Sequence, residues 1–218
     1  MILSPEELLE PGSLARAAQG IGFQAAVLPP VSLPVGHDTV YLTTADAQGM
    51  MVSFIQSNFR AFGSGIVIPG TGIAMQNRGS GFSLDPEHPN GVAPGKRPFH
   101  TIIPGFVTQG GEPVLSFGVM GGHMQHQGHV QMVSRLFDYG QNPQEASDAP
   151  RWHVYPDLTV GLEKGMPQSL FDGLKERGHN VRYEGQESVF GGAQLIQALS
   201  SGYVGASDHR KEGYVGGF

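Results

Sequence analysis

The chain of 218 residues contains no cysteine. That removes disulfides, thiolate metal sites and a cysteine nucleophile together, and says little about compartment. Charge is scarce: Asp, Glu, Lys and Arg make up 15% of residues, against about 25% in an ordinary soluble domain. The basic residues form no run and the formal net charge is −6, which argues against nucleic acid and membrane as partners. No apolar stretch approaches the ~18 residues of a membrane span. No basic segment followed by an apolar one stands at the start, so no signal peptide is read. The compartment stays open, with the cytoplasm favoured. There is no Gly-X-Y period, which excludes collagen, and no fixed-period repeat.

Glycine, by contrast, is abundant. The 33 glycines are about 15% of the chain, roughly twice the usual share. Such backbone either approaches a ligand closely or fills loops. The length predicts one to two domains with a core that needs no staples.

Residues 1–37 differ from the rest. Ser4-Pro5-Glu6-Glu7 reads as a capping box opening a short helix. Pro29, Pro30 and Pro34 mark an extended linker. Strand signals begin at Thr39-Val40-Tyr41-Leu42-Thr43-Thr44, and Met50 to Ser57 completes a hairpin about Asp46–Gly49. Two further strands are expected at Gly65–Ile68 and Ile73–Gln76. A loop follows from Arg78 to Pro98, then a hairpin from Thr101–Thr108 and Pro113–Val119. Helical periodicity runs from about His123 to Tyr139, with Val130, Val133, Leu136 and Phe137 recurring. Shorter helices are expected at Pro143–Ser147 and between Pro167 and Gly178. Strands return near Val181–Tyr183, Gln194–Ala198 and Tyr203–Ala206. The pattern predicts an α+β fold with helices on a largely antiparallel sheet.

Four constellations could carry chemistry. Thr39 opens a strand after a linker. Cut before it, the chain would present a free α-amine beside the threonine hydroxyl, the arrangement of an N-terminal-nucleophile enzyme. A threonine at a strand start is also common. Gly118-Val119-Met120-Gly121-Gly122 precedes a helix, where successive amides could hold an oxyanion or simply turn the chain. His123, His126 and His129 fall at i, i+3 and i+6 with no acid among them. The third lies about 120° off the face of the first, which favours a polar helix start over a metal site. Lys96-Arg97-Pro98-Phe99-His100-Thr101 could orient a polar or anionic substrate, or be a solvated loop.

Together these segments resemble the γ-glutamyltransferase family of N-terminal-nucleophile hydrolases, nearest its amidohydrolase-like branch. The resemblance covers nearly all of residues 39–218. It rests on Thr39-Val40-Tyr41-Leu42-Thr43 with Asp46 and Gly49, on Phe62-Gly63-Ser64-Gly65-Ile66, and on Gly72-Ile73-Ala74-Met75-Gln76-Asn77. It continues through Pro94-Gly95-Lys96-Arg97-Pro98, Gly121-Gly122, Ala149-Pro150-Arg151 and Gly205-Ala206-Ser207-Asp208. The resemblance implies a four-layer αββα sandwich and a precursor that cuts itself between Asp38 and Thr39. Thr39 would be the nucleophile, Ser57 a second hydroxyl contacting it, and Gly121 and Gly122 the oxyanion hole. Residues 1–38 would be the tail of a large subunit and residues 39–218 the small-subunit catalytic region. No cofactor and no metal are implied. The substrate would be a small-molecule amide, γ-glutamyl-like, with a link to glutathione metabolism.

Departures from the family pattern fall on the acyl-binding positions. Phe59 takes the place of an Asn or Glu, Arg78 that of a Gln or Glu, and Gly81 that of an Asp. His100 and Thr101 replace a Ser-Ser pair. A carboxylate is lost and a cation gained, so an anionic or neutral acyl group fits better than an α-ammonium one. The resemblance also implies a large-subunit polypeptide as partner, without which the sandwich is incomplete and apolar faces are exposed. Three readings follow: an enzyme acting through Thr39, a small-subunit chain that acts only with a separate large subunit, or a fragment without function.

Overall fold

The computed structural model describes residues 39–217. The expected capping box, helix and linker before Thr39 lie outside the described residues.

Strands β1 (Val40–Ala45) and β2 (Met51–Gln56) form an antiparallel hairpin. The Asp46 carboxylate accepts the Gln48 and Met50 amides, both at 2.9 Å, and Gly49 takes a φ of 90° that closes the turn. A second sheet has the order β3 (Gly105–Gln109), β4 (Glu112–Met120), β8 (Gly192–Leu199), β9 (Gly202–Ser207), antiparallel throughout. The hairpin lies on one face of this sheet and helices on the other. Helix α1 (Gln125–Val133) continues through a π-turn at Ser134–Asp138, and α2 spans Pro143–Asp148. Asn142 and Glu145 form a reciprocal capping box at α2, with Pro143 in its first turn.

The core sits between the four-stranded sheet and these helices. Leu115, Phe117, Val119, Ala193, Leu195 and Ala206 face Met132, Leu136 and Ala146. Gly128 lets α1 approach closely, since a Cβ there would stand 2.6 Å from the Val119 Cγ1. The buried stripe is therefore Met124, Gly128, Met132 and Leu136, at intervals of four. Val130 and Phe137, expected on the core face, are exposed. The helix is where the periodicity put it, but the face is a different one.

A third sheet comprises β5 (Trp152–Val154), β6 (Val160–Leu162) and β7 (Val181–Tyr183). Helix α3 (Gln168–Glu176) connects the parallel pair β6 and β7, and Phe171 stacks on Tyr183 at 5.1 Å. The strands expected at Gly65–Ile68 and Ile73–Gln76 are absent. A single bridge, Val67 to Ala74, stands there, because Gly65, Gly70 and Gly72 all take positive φ and bend the chain out of register.

A buried charge network joins α2, β6 and the end of β9. Arg151 pairs with Asp208 and donates to the Ser147 and Phe190 carbonyls. Arg210 donates to Glu163 at 2.6 Å and to Asp208 at 3.1 Å. Arg135 donates to the carbonyls of Ala146, Ala149 and Pro150. Burial and then the neighbouring Arg151 and Arg210 push the Arg135 guanidinium down to about 10. No helix among the described residues is long and apolar enough to cross a membrane.

Candidate active site

Side chains alternate across β1. Tyr41 and Thr43 face the four-stranded sheet, while Val40 and Leu42 face outward and are 49% and 44% exposed. Thr39 continues the inward set and is buried. Val40 pairs with Gln56, so one step further along the ladder sets Thr39 opposite Ser57. The Thr39 hydroxyl donates to the Ser57 Oγ at 3.0 Å.

Ser57 Oγ also accepts the Phe59 amide at 2.9 Å. That bond holds Phe59 at a φ of 79°, a conformation that costs a bulky residue about 1–3 kcal/mol. The Phe59 ring lies under the Arg78 guanidinium at 4.8 Å and beside Arg60 at 5.4 Å. Arg78 is buried and donates through Nη1 to the Thr101 Oγ1 at 2.8 Å. Burial and then the Arg78 charge hold the His100 imidazole below its ordinary value, which favours the neutral ring. The four expected acyl-binding residues thus form one cluster, and Ser57 links it to Thr39. Gly81 ends the short 3-10 turn Arg78–Gly81.

Gly121 and Gly122 stand where β4 ends and a 3-10 turn, Gly122–Met124, leads into α1. Gly121 takes a φ of 139°, and a Cβ there would meet the Gly191 Cα at 2.9 Å. Only glycine satisfies both demands. Within this turn, the His123 ring lies parallel to Phe99. His129 instead bonds the Gln125 carbonyl at 2.6 Å and packs on Phe117. No group of three or more His, Cys, Asp or Glu among the described residues is arranged to hold a metal.

One set of residues was missed by sequence reasoning. The Tyr41 hydroxyl lies 2.7 Å from Ser53 Oγ and 3.3 Å from Ser116 Oγ, and Thr43 donates to Ser116 at 2.6 Å. Burial pushes the Tyr41 hydroxyl above its ordinary range, so it stays protonated. These bonds tie the β1–β2 hairpin to β4. The available signal was Gly118, read in the sequence as part of the glycine turn although it stands inside a run of strand formers. Two clefts open at the surface. One of about 380 Å³ runs along β1 against Lys211–Gly216, and one of about 470 Å³ lies between His88 and Phe99. Lys96, Arg97, Pro98 and Phe99 of the expected basic segment line the second cleft, whereas Thr39, Ser57, Phe59, Arg78, His100, Thr101, Gly121 and Gly122 line neither.

The family model described as Gamma-glutamyltranspeptidase matches residues 3–218. The chain is 39% identical over 217 residues to the glutathione hydrolase-like YwrD proenzyme of Bacillus subtilis, covering 95% of this chain and 41% of that protein. It is 36% identical over 220 residues to the oxamate amidohydrolase proenzyme of Klebsiella pneumoniae, covering 98% and 42%. The chain thus spans about two fifths of the length of these curated relatives. Among solved structures, cephalosporin acylase from Bacillus halodurans matches with a TM-score of 0.78 and 46% identity, over 99% of this chain and 40% of that one. A chain of gamma-glutamyltranspeptidase from Pseudomonas nitroreducens, complexed with L-DON, matches with a TM-score of 0.72 and 25% identity, over 82% and 98%. These likenesses place the described residues in the N-terminal-nucleophile hydrolase fold, over a region of small-subunit size.

Proposed function

Since this chain belongs to the gamma-glutamyltranspeptidase family, we propose that it forms the small-subunit part of an amide hydrolase or acyltransferase whose nucleophile is Thr39. The observation that carries this reading is the Thr39–Ser57 pair at 3.0 Å, at the mouth of the hairpin. Cleavage of the Asp38–Thr39 bond frees the Thr39 α-amine, which takes the proton from Oγ. Oγ attacks the amide carbonyl, and the negative oxygen that forms is held by the Gly121 and Gly122 amides. The C–N bond then breaks and the amine leaves with that proton. Water, or an acceptor amine, attacks the resulting ester and releases the acid or the new amide. No cofactor enters.

The acyl group is anionic or neutral. Arg78 stands where an α-ammonium would be repelled, and Gly81 offers no carboxylate to hold one. Thr101, which accepts from Arg78, and the Phe59 ring beneath the same guanidinium hold that cation in place. Residues 39–218 form the catalytic region, and residues 1–38 belong to the segment released from it.

A large-subunit polypeptide completes the site. Val40, Leu42, Val52 and Phe54 line the outer face of the hairpin at 42–49% exposed, an apolar patch beside the nucleophile. This patch also supports the reading in which the chain acts only when paired. Intact mass measurement tests the nucleophile: a 180-residue fragment beginning at Thr39 is expected from the 218-residue chain, and none from Thr39→Ala. A wild-type chain that stays at full mass yet hydrolyses amides would overturn it. Turnover of varied amides by the chain alone and by the reconstituted pair separates the two readings.

A further inference from the structure

We infer that Tyr41, seated in a notch at Gly118, is a positioning residue that sets the height of the nucleophile strand above the strand bearing the glycine pair. The inference rests on Thr39 being the nucleophile.

Tyr41 lies two residues after Thr39 on the same face of β1, about 7 Å along the strand. Gly118 lies three residues before Gly121 on β4. The Tyr41 ring fills the space where a side chain at 118 would stand. A Cβ on Gly118 would come 2.5 Å from the Tyr41 Cε2 and 2.8 Å from its Cγ. Such contacts lie well inside van der Waals distance, so the ring touches bare backbone. Tyr41 and Gly118 are both buried.

The hydroxyl fixes the other end of the ring. It reaches Ser53 on the partner strand of the hairpin and Ser116 on β4. Ser116 in turn donates to the Val52 carbonyl at 3.2 Å. The ring therefore acts as a strut of fixed length, one end in the Gly118 notch and the other bonded to both layers. Thr39 directly precedes β1 and Gly121 directly follows β4. A change in spacing between these two strands moves nucleophile and oxyanion donors apart. A misplacement near 1 Å costs roughly 100-fold in rate.

The test is a double-mutant cycle in the full chain. Three readings are taken: the rate of forming the Thr39-terminated fragment, kcat and KM on an amide substrate in the reconstituted pair, and thermal melting. Gly118→Ala pushes the ring outward and Tyr41→Leu leaves the notch half empty. Each is expected to lower fragment formation and kcat by about 10- to 100-fold with KM held within about twofold. In the double variant the added methyl refills the notch beneath the smaller side chain. Its rates are expected to exceed those of Tyr41→Leu. Tyr41→Phe keeps the ring and is expected to lose no more than a few-fold.

A double variant no faster than Tyr41→Leu, or losses that follow melting temperature, would overturn the inference. That comparison decides even if Gly118→Ala alone does not fold. Wild-type rates in Tyr41→Leu would also overturn it. Failure of the nucleophile itself shows differently, as a Thr39→Ala chain with wild-type rates.

Discussion

Arg151 and Asp208, 57 positions apart, meet at 2.6 Å with neither side chain exposed. Asp208 also accepts the Ala193 amide at 2.7 Å, so the pair fixes the start of β8 against α2. Removing one partner of such a buried pair leaves a charge without compensation. Asp208→Ala is expected to destabilise the chain by about 3–5 kcal/mol. Urea unfolding measures this, and an unchanged midpoint would refute it.

Stability also depends on pH in two windows. Burial lowers the values of His129 and His153 from 6.5, with only partial offset from backbone hydrogen bonds. Each therefore adds stability above about pH 6.5 that fades as pH falls through its folded value. Burial alone would raise the Asp208 carboxyl, but Arg151, the Ala193 amide and Arg210 outweigh it and hold it below 3.8. Its contribution is present above about pH 4 and lost below it. Urea midpoints are expected to fall in both windows, and Asp208→Asn is expected to flatten only the lower one.

Ser57 accepts two hydrogen bonds, from Thr39 and from the Phe59 amide. Ser57→Ala removes both at a cost near 1 kcal/mol each. Fragment formation and kcat are expected to drop about 5- to 30-fold, since ~1.4 kcal/mol is tenfold. Ser57→Thr is expected to recover most of the rate. A Ser57→Ala chain at the wild-type rate would remove this hydroxyl from the site.

The proposed acyl preference is expected to move with two substitutions. Arg78→Gln combined with Gly81→Asp removes a cation and adds a carboxylate. The ratio of kcat/KM for γ-glutamyl amides over anionic acyl amides is expected to rise at least tenfold. Competition assays read that ratio directly. A ratio that stays flat would show that these positions do not read the acyl group.

Local signals in the sequence located the hairpin, the glycine turn and the helices. The Asp46–Gly49 turn and the β-branched run from Thr39 are visible within a few residues. What stayed hidden depends on contacts between distant segments. Val130 and Phe137 look like core residues, yet Gly128 turns a different face of α1 inward by admitting Val119. β5 and β6 are three residues each, too short to show a period. Ala149-Pro150-Arg151 and Ala206-Ser207-Asp208 were visible as separate segments. Nothing local showed that the arginine of one meets the aspartate of the other. Tyr41 and Ser116, 75 positions apart, are a further case.

The alternation along β1 leaves that strand almost no neutral positions. Thr39, Tyr41 and Thr43 point inward, and Val40 and Leu42 point to the exposed outer face. Single substitutions are therefore expected to divide by parity. In a library spanning residues 39–43, odd positions would fail in turnover by the reconstituted pair, and even positions in co-elution with the large subunit. Loss of that two-residue rhythm, with both assays sensitive to the same sites, would argue against it. Mutational tolerance would then read out, position by position, a strand that answers to two constraints at once.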